Sequence, residues 1–176
     1  REQRTGHNVV AYLPETTETL TEKPYVMLGA HYDHLGLGED GNSLATGDDA
    51  GQIHNGADDN ASGVAAVLSA GGELADEERA RGVILAFWSG EELGLLGSAD
   101  FVERSPVPMT ELSAYINFDM VGRMRDNKLT VQALGSSPIW PDLVNDVNVA
   151  YGFELQPVDD PSLPTDAMSL NLAEVP

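Results

Sequence analysis

The chain has 176 residues, with 29 acidic side chains against 9 basic ones, a formal net charge of −20, 41% hydrophobic residues and no cysteine. That length suits a single domain with its own core. The charge would repel nucleic acid and anionic membrane surfaces, and the lack of thiols excludes disulfides and thiolate metal ligands. No apolar run approaches the roughly 20 residues needed to cross a bilayer. The acid excess reads first as a solubility device, with attraction of metal cations and of peptides bearing a free amino end as a secondary effect. Arg1 rather than Met opens the chain, so a single domain over residues 1–176, cut from a longer protein, is expected.

Residues 8–13 read as a strand stopped by Pro14, and a Thr- and Glu-rich stretch after it reads as a loop. Residues 25–31 are nearly all apolar, as a buried strand requires, and end in His31-Tyr32-Asp33-His34. Leu35 to Gly56 is rich in Gly, Asp and Asn; a connection of that length is usually functional or mobile. Ala61 to Ala75 repeats apolar residues with a helical period, Ser62 standing near its start. Residues 83–88 form a second buried strand, 94–104 a short helix before Pro106, 112–118 a third strand and 128–134 a fourth. Pro138 to Ala150 reads as a helix, an extended piece follows near Phe153, Asp159 to Pro164 is turn-rich, and 167–173 starts a helix. Strands alternating with helices predict a three-layer α/β/α fold on a mostly parallel or mixed sheet.

Four clusters carry the chemistry: His31-Tyr32-Asp33-His34, Gly56-Ala57-Asp58-Asp59-Asn60, Ser89-Gly90-Glu91-Glu92 and Asn117-Phe118-Asp119-Met120. Most follow a predicted strand, where open α/β sheets gather ligands. Together they offer imidazole and carboxylate donors for zinc, with one glutamate left over as a base. His31 and Asp33 are two apart, so in an extended strand they share a side and His34 faces away. Asp33 is thus placed to accept the second ring N–H of His31 and fix its tautomer. Asp59, Asn60 or Ser62 can each cap the following helix, which leaves Asp58 to bridge two metals. Glu91 and Glu92 diverge, so one can bind metal while the other takes a proton; as a pair of helix-start acids they would merely be solvated. Asp119 ends a buried strand, where an acid is costly unless paired or ligated.

The segments Gly29-Ala30-His31-Tyr32-Asp33-His34-Leu35-Gly36, His54 to Gly63, Phe87 to Ser98 and Ile116 to Gly122 resemble those of co-catalytic zinc aminopeptidases. The bacterial leucyl aminopeptidase type is the nearest group, related to glutamate carboxypeptidase II and the glutaminyl cyclases. The resemblance implies a zinc-exopeptidase fold binding one or two zinc ions and a peptide substrate, in a secreted or periplasmic setting. It assigns His31 and Asp119 to one zinc, with Asp33 orienting His31, and Asp58 as a bridge to a second zinc held also by Glu92. The bond after Asp58 would be cis, and Glu91 would be the general base. Arg123 and Arg125 are the nearby basic residues a carboxypeptidase could use, too few for that role, so aminopeptidase action is implied.

Two departures shape the expectation. A late histidine of the family aligns with Ala167, in Pro164-Thr165-Asp166-Ala167, which leaves the second zinc short of a ligand and activity reduced. The chain also stops at Pro176, where relatives continue into a further strand; self-association or a partner chain would complete the fold. The competing readings are a peptidase-like binding or assembly module without chemistry, and a one-zinc acyl transferase of the glutaminyl cyclase kind.

Overall fold

The computed structural model describes residues 4–18 and 22–176, so part of the Thr-rich stretch, residues 19–21, lies outside the described residues. Four strands form the main sheet: β1 (Val9–Leu13), β2 (Tyr25–His31), β3 (Gly82–Trp88) and β4 (Leu112–Asn117), in the order β1-β3-β2-β4. The strand β2 runs parallel to both β3 and β4, and β1 is antiparallel to β3 at the edge. All seven residues of β3 are buried, as its unbroken apolar run requires of a strand covered on both faces.

Successive side chains of β3 serve opposite faces of the sheet. Val83, Leu85 and Phe87 pack with Leu28, Ala30 and Val67, under helix α1 (Gly63–Ala75). Ile84, Ala86 and Trp88 pack with Met27, Leu112, Tyr115, Phe101 and Leu170. The last two belong to α2 (Leu96–Arg104) and α4 (Asp166–Leu172). This is the expected three-layer arrangement. Each fully buried large apolar side chain contributes on the order of 1.5–3 kcal/mol. One polar chain runs through this core: the Trp88 indole donates to the Tyr115 hydroxyl at 2.8 Å, which donates to Asn117 Oδ1 at 2.6 Å.

The chain then builds a smaller parallel pair, β5 (Lys128–Val131) with β6 (Glu154–Pro157), joined through α3 (Trp140–Asn148). What matters for function is the shared direction of β2, β3 and β4. Their carboxyl ends, His31, Trp88 and Asn117, lie side by side, with His31 opposite Trp88 in register. The segments that leave these ends carry three of the four clusters.

Candidate metal centre

His31 is the last residue of β2 and is almost wholly buried. Its Nδ1 lies 3.0 Å from the backbone carbonyl of Asp33. An imidazole held there donates at Nδ1, which leaves Nε2 as the nitrogen that a metal would take once its proton is displaced. Around Nε2 stand Asp59 Oδ1 at 3.1 Å and Asp119 Oδ1 at 3.5 Å. Burial alone would lower the His31 pKa, but the Asp119 carboxylate, reinforced by Glu91 and the Asp33 carbonyl, outweighs it and lifts the ring to about 9.

Asp59 lies in a tight turn, Ala57–Ser62, that opens on a left-handed Gly56 and runs into α1. Its two oxygens serve two neighbours. While Oδ1 faces His31, Oδ2 is 3.8 Å from His34 Nδ1. That same nitrogen of His34 is 2.6 Å from Glu92 Oε1. Two groups of donors result, His31-Asp59-Asp119 and His34-Asp59-Glu92, each with its atoms within 4.8 Å of one another. Asp59 belongs to both.

The loop after β3 is fixed by Asp33. Its carboxylate accepts the backbone N–H groups of Glu91 at 3.1 Å and Glu92 at 3.3 Å. One anion therefore holds both glutamates at the sheet edge, and the direction change between neighbouring residues sends them to different places. Glu92 meets His34, whereas Glu91 stays half-buried. Burial raises the Glu91 carboxyl to about 7; the positive field of His31 opposes this, and Asp166, Glu92 and Asp119 add to it.

Asp119 Oδ1 is buried without a hydrogen-bond partner among the described residues. Asp166, at the start of α4, is fully buried with neither carboxylate oxygen in hydrogen-bonding geometry. Its pKa rises to about 6 through burial, with Ser98 and His31 pulling it down and Asp33 and Asp119 pushing it up. Converging acids and an orphaned buried oxygen are what a cation would satisfy, since a carboxylate there is otherwise costly. Oxygen and imidazole donors without thiols fit zinc, manganese or cobalt.

The structure redraws several sequence expectations. Asp58, expected as the bridge, does not enter either donor group: its Oδ1 accepts the Gly122 N–H at 2.8 Å and its Oδ2 accepts the Arg123 Nε–H at 2.7 Å. It is Asp59 that faces the histidines, because the turn sends residues 58 and 59 to opposite sides. The cis peptide is Asp59–Asn60 rather than the bond after Asp58. Asp33 does not hold His31 through its carboxylate, which is 3.8 Å from Nδ1; the backbone carbonyl does so instead. His34 was expected to face away by strand alternation, but β2 ends at His31 and the rule lapses there. Ala167 is partly buried and packs against the apolar cluster of Met27, Trp88 and Leu170, so a histidine at that position would crowd that cluster. Arg123 is already engaged by Asp58. His31 and Asp119 fall in one donor group and Glu92 in the other, with Glu91 close enough to feel the charges of His31, Glu92 and Asp119.

An α/β sheet whose parallel strands deliver histidine and acids to one edge defines a zinc-exopeptidase-like fold, and the comparisons agree. The chain belongs to peptidase family M28, whose model matches residues 8–176. Among curated relatives, it is 31% identical over 136 residues to a probable lipoprotein aminopeptidase, LpqL, of Mycobacterium tuberculosis, covering 76% of this chain and 23% of that protein. It is 30% identical over 164 residues to leucine aminopeptidase 2 of Trichophyton equinum, covering 93% of this chain and 29% of that one. The fold matches BSAP, a zinc aminopeptidase from Bacillus subtilis, with a TM-score of 0.74 at 21% identity, over 96% of this chain and 38% of that one. It also matches Porphyromonas gingivalis glutaminyl cyclase, with a TM-score of 0.70 at 20% identity, over 96% of this chain and 60% of that chain. The chain thus spans less than a third of the length of these two curated relatives.

Proposed function

We propose that the chain carries the metal-binding part of a zinc-dependent aminopeptidase, which hydrolyses N-terminal residues from peptides. The observation that carries this reading is Asp59, whose two oxygens face two histidines, each accompanied by a second acid. His31, Asp59 and Asp119 would hold one zinc; His34, Asp59 and Glu92 would hold a second, with Asp59 as the shared carboxylate. Family membership and the names of the relatives, aminopeptidases of bacteria and fungi, support the same assignment. Zinc in such a site supplies polarisation of the scissile carbonyl and acidification of water.

The remaining work falls to the protein's own groups. Glu91 is the general base: it takes a proton from the attacking water and returns it to the leaving amine. Its half-buried setting, with a pKa near 7, lets it hold and release a proton close to neutrality. Asp33 keeps the base and its neighbour Glu92 in place by accepting both of their amide hydrogens. The carbonyl of Asp33 fixes the His31 ring. Of the two arginines near the site, Arg123 is engaged by Asp58, and the names of the curated relatives favour action at the amino end.

The test pairs metal analysis with turnover. Zinc per chain is measured by elemental analysis after dialysis, and hydrolysis of leucine p-nitroanilide is followed for the native chain and for Glu91→Gln. The expected result is two zinc ions in both proteins and, in the variant, turnover lowered about 100-fold to 10,000-fold. Zinc binding without hydrolysis in the native chain would point to the assembly-module reading. Cyclisation of an N-terminal glutamine in place of hydrolysis would point to the acyl-transferase one.

A further inference from the structure

The turn that presents Asp59 and the segment that presents Asp119 are joined in a pattern that the ligands themselves do not explain. Alternate residues of the turn grip the segment after β4. Asp58 accepts the Gly122 N–H at 2.8 Å and pairs with Arg123 at 2.7 Å. Asn60, almost wholly buried, donates from Nδ2 to the Phe118 carbonyl at 2.9 Å and accepts the Met120 N–H at Oδ1, 3.3 Å away. Ser62 accepts the Val121 N–H at 3.1 Å while its own hydroxyl donates to the Asp58 carbonyl at 2.6 Å. Residues 58, 60 and 62 thus hold residues 118 and 120–123. Asp59 on one side and Asp119 on the other are the two left facing His31.

Close approach is built into both segments. A Cβ on Gly63 would lie 2.3 Å from the Phe118 carbonyl oxygen, and one on Gly122 would lie 2.8 Å from Asp58 Oδ1 and 3.0 Å from Ser62 Cβ. Nothing larger fits between the two segments without separating them. The separation of the two backbone segments that carry Asp59 and Asp119 is therefore set by this clamp.

We propose that Asp58, with Asn60 and Ser62, is a positioning residue that fixes the Asp59–Asp119 spacing and thereby the affinity and geometry of the cation at His31; this rests on the zinc reading above. Partners behind the ligands typically change metal affinity about 10-fold to 100-fold when removed. The anion at position 58 also balances the charge of Arg123 beside the site.

The full chain is titrated with zinc against a chromophoric chelator, and loaded with cobalt(II) to record its visible absorption. Asp58→Ala is expected to bind zinc about 10-fold to 100-fold more weakly and to shift the cobalt bands. Asp58→Asn, which keeps an acceptor for Gly122, recovers most of the affinity. Should Asp58→Ala not fold, Gly122→Ala, which wedges the two segments apart, is expected to give the same weakening and the same altered cobalt spectrum. Unchanged affinity and an unchanged cobalt spectrum in the folded variant would overturn the clamp while leaving the zinc reading intact. So would a loss in Asp58→Ala equal to that in Asp59→Ala with no rescue by Asn, which would make Asp58 a ligand. A native chain that takes up no zinc would overturn both.

Discussion

Asp166 offers a quantitative check on the electrostatics of this site. It is fully buried, both oxygens lack a partner in hydrogen-bonding geometry, and its pKa rises from 3.8 to about 6. The native state therefore holds this proton more tightly than the unfolded chain does. Its stabilising contribution is complete below about pH 3.8 and is lost as pH rises towards 6. A rise of that size corresponds to about 3 kcal/mol at 1.36 kcal/mol per pH unit, of which about 2 to 3 kcal/mol falls between about pH 4 and pH 8. Asp166→Asn keeps the shape of the protonated carboxyl and removes the titration. The assay is urea unfolding of the metal-free protein, native against variant, at both pH values. The variant should gain about 2 to 3 kcal/mol on the native protein between the acid and the alkaline measurement. Using the change in the difference cancels the cost of the amide's own donors, which is the same at both pH values. Added zinc should shrink the gap at about pH 8, because a nearby cation favours the carboxylate. A difference between the two proteins that does not move with pH would refute the reasoning, and would mean that the buried carboxyl finds a donor or solvent in solution.

Three other outcomes follow from the geometry. Glu91→Gln should leave zinc content intact while turnover collapses; loss of zinc in that variant would show that Glu91 and Glu92 exchange roles. His34→Ala should lower zinc from two ions per chain to one by elemental analysis, since among the described residues it belongs to the His34-Asp59-Glu92 group, and retention of both would remove His34 from the ligand set. Ala167→His, at a position packed on the apolar cluster, should lower stability by about 1–3 kcal/mol through overpacking. Its zinc content should stay unchanged, and a gain in zinc would restore this residue to the site.

The class of fold and the edge at which the site forms follow from short-range signals. The apolar runs at 25–31 and 83–88 are long enough to be strands and too continuous to lie on the surface, whereas 112–117 is a strand of mixed burial. A cluster at the end of such a strand can only lie at the carboxyl edge of the sheet. The place of His31, Glu92 and Asp119 at that edge was legible for this reason: His31 ends a strand and the other two follow one within a few residues. Glu91 and Glu92 meet different neighbours because adjacent side chains diverge.

Asp59, His34 and Ala167 were decided by tertiary structure. Nothing local separates two adjacent aspartates; Asp58 turns away because Gly122 and Arg123, more than sixty residues later, bind it. His34 reaches Glu92 because the strand stops at His31, and a residue beyond a strand end takes its direction from what it packs on rather than from the period of two. Ala167 lies in a core that forms only when α4 docks against β3 and β4. Sequence determined which donors were available and at which edge they gather. The partners that each donor meets are non-local contacts, and so the choice between neighbouring acids belongs to the folded chain.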